Sequence, residues 1–214
     1  MISATPVPLM MELVQSSHSK KEDILFFNLE PQDDYSGVEN IKPLEIDGKK
    51  IYLDQNELSV RTTYTASEFG DLEVIYANEK VINLYDHALL PDSASPNKKG
   101  ILILDVSCPR VTAKGNLKDK ANSMQELYKR KGQELIVITF SGRGISVKLP
   151  NNKEWDDAEV NTSLWDDETY RNALIGAVLN DIDNKYGLDM PLAIFGYTKM
   201  CRGISFRSDK RVPT

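Results

Sequence analysis

An α/β fold, a sheet with helices packed on it, is predicted by three continuous apolar runs separated by two helical patterns. The runs occupy residues 101–106 (Ile-Leu-Ile-Leu-Asp-Val), 134–140 (Glu-Leu-Ile-Val-Ile-Thr-Phe) and 192–196 (Leu-Ala-Ile-Phe-Gly). Each is too short for a globular helix and is apolar at successive positions, the pattern of a strand covered on both faces. Strand, helix, strand, helix, strand is the repeating unit of a parallel sheet flanked by helices.

From the N-terminus, residues 24–29 (Ile-Leu-Phe-Phe-Asn-Leu) form a candidate strand stopped by Glu30-Pro31. Residues 31–71 are polar and rich in turn formers, and are expected to be an irregular connecting or inserted segment. Within it the Asp47-Gly48 turn predicts a small hairpin strand at Lys49-Lys50-Ile51-Tyr52-Leu53. A helix is predicted from Leu72, with Val74, Ala77, Val81, Leu84 and Ala88 recurring at helical steps until Pro91. The first apolar run follows. A second helix over 117–131 carries the stripe Leu117, Ala121, Met124 and Tyr128. Its last turn holds Lys129, Arg130 and Lys131, and Gly132 supplies the stop.

After the second run, Ser141-Gly142-Arg143-Gly144 reads as a tight turn into a partly exposed strand at 145–149. That segment lacks the third glycine and the following helix of a nucleotide-binding loop. A third helix over 167–185 has Tyr170, Leu174, Val178, Ile182 and Tyr186 spaced by four, and Gly187 ends it. Trp155 and Trp165 are expected to anchor the acidic loop before it, and the Asp156-Asp157 and Asp166-Asp167 pairs to serve as solvated charge and helix caps.

Composition excludes several classes. A hydrophobic fraction of 41% with 27% charged residues fits a folded chain rather than a disordered one. No run approaches the roughly 18 apolar residues of a membrane span, so no membrane partner is expected. Cys108 and Cys201 stand far apart without metal-ligand spacing, and no secretory signal pattern opens the chain, which together point to an intracellular, reducing setting. His18 and His87 have no nucleophile or ligand partner at a recognisable spacing, and His87 is expected to be partly buried near a helix end. The net charge of −6 does not advertise a nucleic-acid binder, although a cationic groove can coexist with an acidic remainder.

Two short segments carry the chemistry. Ser3-Ala4-Thr5-Pro6 offers hydroxyls that can hydrogen-bond across a cleft, followed by a proline that ends a strand. Gly196-Tyr197-Thr198-Lys199-Met200-Cys201-Arg202-Gly203-Ile204-Ser205-Phe206 follows an apolar run directly and sets a guanidinium beside a glycine, where an anion can meet both side chain and backbone amides.

In this order the two segments resemble motifs III and V of superfamily-two helicases, P-loop ATPases built from two RecA-like domains. The nearest likeness is to helicase-like ATPases of the Z-one type, with Tyr35-Ser36-Gly37 standing where those proteins have a Tyr-x-Gly segment. The resemblance implies that residues 1–30 are the end of a first RecA-like domain and that 72–214 are a second one, cut before motif VI. It assigns nucleotide coupling to Ser3, Ala4, Thr5, Gly203 and Ser205, and nucleic-acid contact to Thr198, Arg202 and Gly203. No catalytic residue and no metal ligand is assigned.

By the same resemblance the parent protein uses ATP and Mg and acts on DNA or RNA together with the first RecA-like domain. The Walker A pattern and the Asp-Glu box are absent here and are expected upstream of Met1, and the arginine finger beyond Thr214. The isolated chain is therefore not expected to hold ATP tightly or to hydrolyse it by the family mechanism. The alternative expectation is a non-catalytic RecA-like module that binds nucleic acid or a protein.

Overall fold

A computed structural model of the chain describes residues 45–46, 48–51, 62–66, 70–74, 77, 79–92, 96–106, 116–196, 200 and 204–214. All belong to one unit, Pro43–Thr214. The segment 24–29 and Tyr35-Ser36-Gly37 lie outside the described residues.

Two small antiparallel hairpins come first: β1 (Glu45–Ile46) with β2 (Lys49–Lys50), and β3 (Thr62–Ala66) with β4 (Gly70–Val74). The expected hairpin forms, with Gly48 between its strands at a φ of 73° and its second strand described at Lys49–Lys50. The second hairpin corrects the helix predicted from Leu72. Leu72 and Val74 alternate along β4, and helix α1 starts only at Glu79 and runs to Leu89. Its buried residues are Val81, Ile82, Tyr85 and Leu89, whereas Leu84 and Ala88 are only partly covered. His87 on the outer side is exposed, not partly buried.

The remaining elements are β5 (Leu102–Asp105), α2 (Asn116–Arg130), β6 (Ile136–Ser141), β7 (Gly144–Lys148), β8 (Asp156–Asp157), α3 (Glu168–Tyr186) and β9 (Leu192–Gly196). They form one five-stranded sheet in the order β5-β9-β6-β7-β8. The three apolar runs are mutually parallel: β9 pairs with β5 on one side and with β6 on the other. The expectation of a parallel sheet is corrected beyond that point. β6 and β7 form an antiparallel hairpin through Gly142-Arg143, and β8 adds a short antiparallel edge, so the sheet is mixed. A two-residue turn permits no crossover, and an antiparallel neighbour is its necessary product.

Alternation along the strands divides the core in two. Ile101, Leu135, Val137, Ala193 and Phe195 face α1 and α2, packing with Tyr85, Met124, Leu127 and Tyr128. Leu102, Ile136, Ile138, Phe140, Leu192 and Ile194 face α3, packing with Ile175, Leu179 and Ile182. The described residues are therefore layered helix, sheet, helix, with β9 covered on both faces and flanked on both sides. Trp165 is buried in the second core, and Trp155 packs against the first, so both tryptophans anchor their loop as expected.

Helix α3 begins at the N-cap Asp167, whose carboxylate accepts the Tyr170 N–H at 3.0 Å. It ends at Gly187, whose φ of 74° suits glycine. At the far end of the sheet, Gly196 has no room for a side chain. A Cβ there would strike Met200 Sδ and stand 3.1 Å from the Phe140 carbonyl oxygen. Gly196→Ala should therefore lower stability by about 1–3 kcal/mol, the usual cost of overpacking. A shift of the urea midpoint at unchanged slope measures it, and an unshifted midpoint would show that Met200 moves aside freely.

Candidate functional site

The three parallel strands end together, β5 at Asp105, β9 at Gly196 and β6 at Ser141. The described residues that follow β5 and β9 lie on opposite faces of the sheet. After β5 the chain reaches α2, on the face of the first core. After β9 it reaches Met200, Ile204 and Phe206, which pack with the second core on the face of α3. Adjacent parallel strands whose connections part in this way define the switch point where open α/β sheets bind ligands. The candidate site is therefore the carboxyl edge between β5 and β9.

On the α2 side this edge is built from one row of the sheet. Asp105, Phe195 and Thr139 are Cα partners across the three strands, and all three are buried. Lys120 of α2, fully buried, places Nζ 2.9 Å from Asp105 Oδ1 and 5.9 Å from the centroid of the Phe195 ring. Tyr85 donates its hydroxyl to Asp105 Oδ2 at 2.8 Å, and its ring stacks between Tyr128 and Phe195 at 5.7 and 6.4 Å. Both carboxylate oxygens are thus engaged, and burial makes each partner essential to the other. A carboxylate held in this way orients the strand end and is not presented as a free base.

Sequence reading missed this pair. The signal was present, since Lys120 stands three residues after Leu117 and four before Met124, on the apolar stripe of α2. A lysine on such a stripe announces a buried anion nearby.

On the α3 side, Ser205 is the one sequence-predicted site residue within the described set. Ser3, Ala4, Thr5, Thr198, Arg202 and Gly203 lie outside the described residues, as does Cys201. Ser205 is exposed, and its backbone N–H donates to Asn172 Oδ1 at 2.6 Å. Phe206 beside it is buried edge-on against Phe140, with ring centroids 5.3 Å apart.

From Ser205 the chain runs as an extended strap along α3, following the helix toward its C-terminal end. Asn180 Oδ1 receives the Asp209 N–H at 2.9 Å, and Asp183 accepts from the Ser208 hydroxyl. Gly176 lies on the same stripe, and a Cβ there would approach the Arg207 carbonyl oxygen at 3.8 Å. Asn172, Gly176, Asn180 and Asp183 recur at four- and three-residue steps, so one polar face of α3 receives the strap.

Arg211 locks the lower end. Its Nε donates to Asp183 Oδ1 at 3.0 Å, and Nη1 to the carbonyls of Ile101 at 2.6 Å and Met190 at 3.1 Å. Nη2 donates to the Gly187 carbonyl at 3.2 Å. Thr214 then pairs with Leu102 of β5, its N–H on the Leu102 carbonyl at 2.9 Å and its hydroxyl accepting the Leu102 N–H at 3.2 Å.

Among the described residues no group of three or more His, Cys, Asp or Glu side chains could hold a metal ion. No helix among them is long and apolar enough to cross a membrane. Comparison with protein-family models, curated proteins and solved structures finds no match to the chain.

Proposed function

We propose that the chain is the second RecA-like domain of a helicase-type, nucleic-acid-dependent ATPase, preceded by the end of the first. The observation that carries the reading is the place of Gly196, the first residue of the segment that resembles motif V. It ends β9, the middle one of three parallel strands, at their carboxyl edge. The helix-sheet-helix layering supports it as well.

In this reading the domain supplies half of an ATP cleft and half of a nucleic-acid track. Arg202 and Thr198 contact the phosphate backbone, and Ser3, Ala4, Thr5, Gly203 and Ser205 sense the nucleotide. ATP and Mg belong to the whole protein. The described residues offer no carboxylate cluster for the metal, and the sequence has no Walker A loop.

The net charge of −6 favours a second reading, a module of the same fold that binds a protein rather than nucleic acid. Titration of the chain with single-stranded DNA and RNA at several salt concentrations separates the two. The first reading expects binding that weakens with salt. Arg202→Ala should lower the affinity and flatten the salt slope by about one unit. An unchanged affinity and slope would remove Arg202 from the track.

A further inference from the structure

The strap alternates. Ser205, Arg207 and Asp209 are exposed, whereas Phe206 and Ser208 are buried. Two-residue alternation is the signature of extended chain with one face on a support, here the second core and the polar stripe of α3. The outer face opens with a hydroxyl and a guanidinium, spaced by two extended residues, or about 6.6 Å.

Arg207 is exposed and has no ion pair or side-chain hydrogen bond among the described residues. The other charges on the strap are accounted for differently. Lys210 reaches Asn184 Oδ1 at 3.3 Å, and Arg211 is buried on Asp183. Asp209, two residues beyond Arg207, is exposed with its backbone N–H bound to Asn180. The backbone rungs at Asn172 and Asn180 hold Arg207 between them. A cation on a clamped backbone costs less ordering entropy on binding than one on a free loop.

We propose that Arg207, the next exposed residue after Ser205 on the outer face of the strap, begins a phosphodiester-binding row that extends the nucleic-acid track past the segment resembling motif V. The inference rests on the proposed function and adds to it a contact outside the motif. A guanidinium suits this task because its planar fork matches the two non-bridging oxygens of a phosphodiester.

Oligothymidylate and oligouridylate are titrated against the full chain and its Arg207→Ala, Arg207→Lys and Arg202→Ala variants between about 50 and 200 mM salt. Arg207→Ala should flatten the salt slope by about one unit, which amounts to a roughly fourfold smaller loss of affinity over that range. Arg207→Lys should keep the wild-type slope, since the charge remains. If Arg207→Ala matches wild type while Arg202→Ala does not, the row is wrong and the broader reading stands. If neither oligonucleotide binds wild type, the broader reading fails first. Binding of polyglutamate with the same dependence on Arg207 would also overturn the row, because net charge and not the phosphodiester would then be recognised. Arg207 is exposed, so its substitution leaves the fold intact.

Discussion

Arg211→Ala should cost the chain about 3–5 kcal/mol of unfolding free energy, the range for breaking a buried pair from one side. Arg211 is 2% exposed and Asp183 4%. Removing the guanidinium leaves the Asp183 carboxylate in the core with the Ser208 hydroxyl on one oxygen. It also withdraws the donors that serve the Ile101, Met190 and Gly187 carbonyls; Ile101 keeps the Leu192 N–H, while a carbonyl left unsatisfied carries its own desolvation cost. Those carbonyls stand before β5, before β9 and at the end of α3, so one side chain ties three elements and the strap together. Arg211→Lys should recover only part of the loss, because an ammonium can meet Asp183 but cannot span three carbonyls. Urea denaturation of both variants measures this. A loss below about 0.5 kcal/mol for Arg211→Ala, ordinary for a surface position, would show that the guanidinium is solvated in solution.

The second large effect belongs to Lys120. Lys120→Met keeps the volume of the side chain and removes its charge, leaving the Asp105 carboxyl in the first core without its cationic partner. The expected loss is again about 3–5 kcal/mol. The double variant Lys120→Met with Asp105→Asn tests the cause. It removes both charges and keeps an acceptor for the Tyr85 hydroxyl, so most of the stability should return. Additive losses in the double variant would mean that the two side chains act independently, despite the 2.9 Å between them.

Much of the architecture was legible because the three parallel strands are apolar without interruption. A strand buried on both faces has no polar alternation to confuse the pattern; β5 and β9 lie within the predicted runs, and β6 passes the end of its run by one residue, Ser141. The place of β9 between β5 and β6 was not legible, since local pattern says nothing about which parallel strand a crossover returns to.

Helix α3 was found, but its buried stripe was misread for a geometric reason. Residues spaced by four advance about 400° per step at 3.6 residues per turn, so Tyr170 to Tyr186 drifts about 160° around the axis. The residues that are buried, Ile175, Leu179 and Ile182, combine steps of four and three. The strap then covers part of the helix that would otherwise face water, which is why asparagines rather than lysines line it. In α1 the error was one of extent. Leu72 and Val74 fit both a strand and a helix, and only the pairing with β3 decides between them.

The candidate site divides the same way. The segment after β9 was visible from its glycines and cations, and the one predicted site residue described in it, Ser205, stands beside α3. The Asp105–Lys120 pair was not, because a lysine on a helix is ordinarily read as surface until the strand that opposes it is known.

The hold of Thr214 on Leu102 has a consequence for behaviour at high concentration. β5 ends the sheet with the apolar run Leu102-Ile103-Leu104, the kind of open rim on which like chains stack. Strap and rim are covered by one set of hydrogen bonds, with Arg211 and Thr214 side by side on residues 101 and 102. Loosening the strap and exposing a self-adhesive border are therefore a single event, and solubility is tied to the same arginine that secures the helix.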